Sequence, residues 1–142
     1  MVTREMVTKL DHKMQVRFAV FCAKQVIDLV DASYKEVCLK AIEAAEGFTE
    51  GKVSKEECSN AAYAAAYAAR AAYAANAAVY AANAAVYAAY AAAYAAYAGN
   101  AAYAAYAAKN KEVIVLEQTR YYEELLNFDK IVEEMMGVYH GN

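Results

Sequence analysis

From Ala61 to Ala108 the chain carries 31 Ala and 10 Tyr, and its remaining seven positions are Arg70, Asn76, Val79, Asn83, Val86, Gly99 and Asn100. Alanine loses no side-chain entropy in a helix, and the sequence has no proline to interrupt one. The run must be helical. Its larger side chains recur by sevens: Tyr73, Tyr80, Tyr87 and Tyr94 form one series, and Asn76, Asn83, Tyr90 and Tyr97 a second, offset by three. A seven-residue repeat places both series on one stripe. The smooth Ala faces let helix backbones approach to the short end of about 8 to 10 Å, and the Tyr stripe is expected to fill the wider gap to a third helix. A helix with no charge on any face belongs inside a bundle. At about 1.5 Å per residue the whole run would make a rod of roughly 72 Å, too long for one domain, so a break is expected at Gly99-Asn100 and a second bend near Asn76 or Asn83. A membrane span is disfavoured, because Val79 and Val86 are the run's only strongly inserting side chains. An ice-binding helix would show a ladder of Thr, and the run has none.

Charge lies outside this run. Residues 1–58 hold nine bases and ten acids, residues 109–142 four and seven, and Arg70 stands alone between them. A net charge of -3 argues against duplex nucleic acid as the partner. Cys22, Cys38 and Cys58 are odd in number and form no CxxC, so they read as small buried apolar groups in a reducing compartment. Met1 to Lys13 has no unbroken apolar stretch, and the expected location is cytoplasmic, that of the host if the gene is phage-borne. Val16, Val20, Ala23, Ile27 and Val30 recur at threes and fours and predict a first helix over Thr3 to Asp31. Ser33 with Glu36 and Ser54 with Glu57 fit capping boxes, and between them Gly47 is suited to a left-handed helix end. Val113, Leu116, Tyr121, Leu125, Phe128, Val132 and Met135 predict a last helix that Gly137 stops. The expectation is a single all-α domain over 1–142, with amphipathic helices in 1–58, Ala/Tyr-rich helices in 59–108, an acidic C-terminal helix in 109–137 and a tail in 138–142. Its architecture is a compact bundle of five or six helices with closely packed Ala/Tyr-rich central helices.

No catalytic constellation runs through this framework. There is no Gly-rich phosphate loop, GxSxG, HExxH or paired CxxC. His12 and His140 read as solvated groups, and the adjacent acids Glu56-Glu57, Glu123-Glu124 and Glu133-Glu134 diverge by about 100° on a helix. No enzyme activity, metal or cofactor is expected. Lys9, Lys13, Arg17 and Lys24 lie along one side of the first helix, either as a grip for phosphates or as a solvated face opposite the Val16, Val20 and Ile27 stripe. Tyr with Asn76, Asn83 and Asn100 can stack on and read nucleobases, or simply pack the core.

Arg17-Phe18-Ala19-Val20-Phe21-Cys22-Ala23, then Cys38-Leu39-Lys40-Ala41-Ile42-Glu43-Ala44-Ala45-Glu46-Gly47-Phe48-Thr49-Glu50-Gly51-Lys52-Val53-Ser54-Lys55-Glu56-Glu57, then the Ala/Tyr run, resemble the Ala-rich immunity protein family of bacteria and phages. The likeness covers roughly residues 17–108, with Phe48 where Trp is more usual, and with an acidic last helix bearing Tyr121-Tyr122 in place of a His-containing Ala-rich ending. It implies a small protein that neutralises something by binding it stoichiometrically. One target is an anti-defence ligand, a small anionic nucleotide messenger held by Lys9, Lys13, Arg17, Lys24, Arg70, Tyr73, Asn76, Tyr80, Asn83 and Arg120. Another is a protein toxin or defence effector covered by Glu117, Glu123, Glu124, Glu133 and Glu134. A self-associating structural protein is the third reading, and a homo-oligomer is expected under all three, because one Ala face and one Tyr face exceed what a single chain of this length covers.

Overall fold

The structure is a computed structural model that describes residues 2–30, 32–33, 35–71, 76–93, 97–109 and 112–139, without the side chains of 4, 68–71, 76–79, 92–93 and 137–139. Among these residues there are seven α-helices and no strand: α1 (Arg4–Val7), α2 (His12–Lys24), α3 (Lys35–Thr49), α4 (Lys55–Ala71), α5 (Asn76–Ala93), α6 (Tyr97–Lys109) and α7 (Glu112–Tyr139). A single 3-10 turn, Ile27–Leu29, follows α2.

The helices exceed the expected five or six because both long stretches divide. The predicted first helix breaks at Asp11, whose carboxylate accepts the Met14 N–H at 2.8 Å and so opens α2 as an N-cap. The chain then leaves α2 through Gln25 into the 3-10 turn. The Ala/Tyr run divides into the end of α4, then α5, then α6. Gly99 and Asn100 do not break it: both lie within α6, where Gly99 is buried. The division nearest the expected second bend falls just before Asn76.

At the turn after α3 the left-handed residue is Gly51, with φ 77°, rather than Gly47. The Gly51 N–H donates to Phe48 O at 3.1 Å and the Lys52 N–H to Gly47 O at 2.8 Å, which together close the helix in a Schellman motif. Gly47 lies inside α3, and Val53 folds back onto it, leaving no room for a Cβ. Three residues later Ser54 and Glu57 form the expected capping box: the Glu57 N–H donates to Ser54 Oγ at 3.1 Å and the Ser54 N–H to Glu57 Oε1 at 3.3 Å.

Helix α5 sits at the centre, packed against α2, α3, α4 and α6. Ala81, Ala82, Ala84, Ala85, Ala88, Ala89 and Ala91 are all fully buried on about half of its circumference. The stripe of large side chains, Tyr80, Asn83, Tyr87 and Tyr90, faces the rim instead of the interior. There it bridges three helices. Tyr63 of α4 meets Tyr90 edge-on at 5.7 Å, and Tyr97 of α6 lies 5.2 Å from Tyr90 and 5.7 Å from Tyr87. The larger buried side chains, among them Phe18, Val16, Val26 and Ile42, fill the other half of the core with all three cysteines.

Helix α7 runs two residues past the expected stop at Gly137. It is tied to the bundle as far as Asp129. The Tyr122 hydroxyl donates to Met6 O at 2.7 Å, Gln118 Nε2 donates to Gln25 Oε1 at 3.0 Å and Ala102 O at 3.1 Å, and the Asp11 N–H donates to Asp129 Oδ2 at 3.1 Å. At 28 residues it is about 42 Å long, and residues 130–136 are all exposed, so its C-terminal end overhangs the bundle. No helix among the described residues is long and apolar enough to cross a membrane.

Candidate functional site

The predicted cations separate once the first helix breaks. Lys9 falls in the turn before α2, while Lys13, Arg17 and Lys24 remain on one exposed face of it. Of these, Arg17 and Lys24 line a cleft of about 370 Å³ between α2, the end of α3 and α7. Phe21 and Tyr121 form its floor, their rings stacked at 4.4 Å and 17°. Glu46, Thr49 and Glu50 supply the opposite wall. Phe21 and Lys24 also border a neighbouring cleft of about 510 Å³ with Gln25, Lys109, Val113, Ile114 and Glu117.

The charges in the first cleft nearly cancel. Lys24 is paired with Glu46 at 2.9 Å and Glu50 with Lys52 at 3.0 Å, whereas Arg17 has no ion pair among the described residues. Burial pushes the Tyr121 phenol above its ordinary pKa, Arg17 draws it down and Glu124 raises it further. The phenol is therefore a neutral hydrogen-bond donor at physiological pH. The Thr49 hydroxyl in the same lining donates to Glu46 O at 2.7 Å.

The other predicted ligand residues do not converge here. Tyr80 and Asn83 sit on the outer face of α5 and Arg120 is exposed on α7, and none of them lines either cleft. Tyr73 and the side chains of Arg70 and Asn76 lie outside the described residues. His12, read from the sequence as solvated, is half-buried: its Nε2 donates to Ala91 O at 2.8 Å and its ring packs 5.4 Å from Phe48. It ties α2 to α5. Phe21, Tyr121, Glu46 and Glu50 were not singled out as ligand residues by sequence reasoning, because nothing in their spacing says that α2, α3 and α7 meet.

A second surface belongs to α7 alone. Phe128, Ile131, Val132, Met135 and Met136 are 41 to 66% exposed on its overhang. No carboxylate of α7 is in an ion pair among the described residues.

Residues 5–127 match the family described as Imm-5 like putative immunity protein. The chain belongs to that family. The match takes in all of α2 to α6 and both clefts, a wider span than the 17–108 resemblance, and it ends one residue before Phe128 of the overhang. No curated protein and no solved structure matched this immunity protein. Its family carries the general role, and its own geometry must supply the target.

Proposed function

We propose that this immunity protein acts without catalysis, by covering a protein effector with its acidic last helix, α7. The observation that carries this reading is the state of its carboxylates: Glu117, Glu123, Glu124, Glu133 and Glu134 are all exposed, and no cation among the described residues is paired with any of them. Unpaired like charges along one helix repel one another, a cost that a basic partner reverses. The test is association of the chain with the effector encoded beside its gene. Reversing Glu123, Glu124, Glu133 and Glu134 to Lys slows association by about tenfold or more at low salt, with a smaller difference at high salt. An unchanged association rate removes the reading.

Sequestration of a small anionic nucleotide is a second reading, favoured by one specific feature, the uncommitted Arg17 beside the Phe21–Tyr121 stack. An aromatic floor accepts a base and a guanidinium accepts a phosphate. The nearby Glu46 and Glu50 work against it. Calorimetric titration with cyclic and ADP-ribose-type nucleotides decides the matter. Heat that disappears in Arg17→Ala supports it, and no heat with any of them ends it.

A further inference from the structure

Resting on the assignment of α7 as the binding element, we infer that its overhang is an apolar seam shaped to receive a cationic amphipathic helix of the effector. At about 100° per residue, Phe128, Ile131, Val132, Met135 and Met136 fall within an arc of about 140° on one side of α7. Val132 and Met136 continue the side that Ile114, Gln118, Tyr122 and Leu125 bury against the bundle, and Phe128, Ile131 and Met135 lie beside it, in line with the exposed Glu117 and Glu124. Five large apolar side chains left in water at adjoining positions make a patch that ordinary surfaces avoid. The substitution of a soluble face would cost the fold nothing, since none of the five is buried.

The charge pattern selects the occupant. Asp129 and Glu133 border the seam on one side, Glu134 borders it on the other, and Glu124 lies in line with it one turn earlier. Lys130, the one base between residues 121 and 139, points to the opposite face. A second copy of α7 would therefore bring carboxylate against carboxylate along the whole seam, and an anionic lipid surface would meet the same repulsion. A helix with its own apolar ridge edged by Lys or Arg satisfies both features at once. Tyr121 lies two turns before Phe128 on the same side of α7, so such a helix also passes the mouth of the cleft. Residues 128–139 lie beyond the family match.

The experiment titrates the full chain, by fluorescence anisotropy, into three labelled synthetic peptides of about five helical turns: a Leu/Lys amphipathic helix, a scrambled peptide of the same composition, and a Leu/Glu helix. The Leu/Lys helix binds one to one, and the other two bind at least about tenfold more weakly. The double variant Ile131→Ser with Met135→Ser and the double variant Glu133→Lys with Glu134→Lys each weaken the Leu/Lys peptide by about tenfold or more, with thermal midpoints unchanged. Equal binding of the scrambled peptide, or unaltered binding by either variant, overturns the seam. So does a dimer of the chain alone, seen in sedimentation, that the Ile131 and Met135 variant disperses. Capture of the natural effector that needs the α7 carboxylates but not Ile131 and Met135 refutes the seam while leaving the proposed function intact.

Discussion

Gln118 is buried on α7, and its amide nitrogen serves Gln25 and Ala102 while its Oε1 has no partner among the described residues. Replacing it with Leu relieves one orphaned oxygen but strands two acceptors, so Gln118→Leu is expected to lower stability by about 1 kcal/mol, measured by urea unfolding. The cysteines define a pH dependence. Burial pushes Cys38 and Cys58 from 9.0 up to about 11, with the Glu57 charge adding to the effect at Cys58, and it raises Cys22 well above 9.0. A thiol that stays protonated in the fold ionises sooner in the unfolded chain, so this contribution is complete below pH 9 and declines as pH rises toward 11. The urea midpoint should therefore hold between pH 7 and pH 8.5 and fall by pH 10.5, and the triple Cys→Ala variant should lose less of it over that interval. At single positions the sequence was readable where the signal was chemical and local. The Ser54–Glu57 box formed as its spacing predicts. Gly47 and Gly51 could not be told apart: Val53 closing over Gly47 is a contact absent from any local pattern. Asp11 is an equally local N-cap, yet it was hidden among the charges of a seemingly continuous amphipathic stripe.

Among the elements, α5 shows how a core can be built from methyl groups. Its buried arc is entirely Ala but for Val86, so neighbouring helices approach without interdigitating long side chains. Such an interface has little room to give. Ala85→Leu, at a fully buried site, is expected to destabilise by about 1 to 3 kcal/mol through overpacking, whereas the same change at exposed Ala64 should be nearly silent in thermal unfolding. That the described parts of the run are helical, and that Tyr80, Asn83, Tyr87 and Tyr90 make one stripe on α5, were both legible from composition and period, whereas Tyr73 and Tyr94 of the same repeat lie outside the described residues. Which side of the helix faces inward was not, since Ala and Tyr both count as apolar and only tight backbone approach sends Tyr to the rim. The breaks were equally hidden: α5 ends at Ala93 and α6 begins at Tyr97 within unbroken Ala/Tyr sequence, while Gly99 and Asn100, the residues that look like a stop, lie inside α6.

For the whole molecule, the family match ends at residue 127, while α7 continues to Tyr139. Removing residues 131–142 deletes Ile131, Val132, Met135 and Met136 but keeps the Asp129 contact to Asp11, so the bundle should unfold within a few degrees of the full chain in calorimetry. Effector binding should fall by about tenfold or more in the same variant. The sequence announced an acidic last helix, but it gave no sign that the apolar positions from Phe128 onward lack a neighbour, because they continue the recurrence at threes and fours of the apolar positions before them. Oligomeric state belongs to this scale as well, and the acidic borders of the seam favour a free chain that stays monomeric in sedimentation until its effector is present. Hydrogen exchange along the full chain compares the alanine core and the uncovered arm in one measurement. Amides of α5 between residues 81 and 91 are expected among the slowest in the protein, and those from 131 to 139 are expected to exchange far faster. Fast exchange throughout α5, or protection of 131–139 equal to that of α5 in the isolated monomer, would contradict this arrangement.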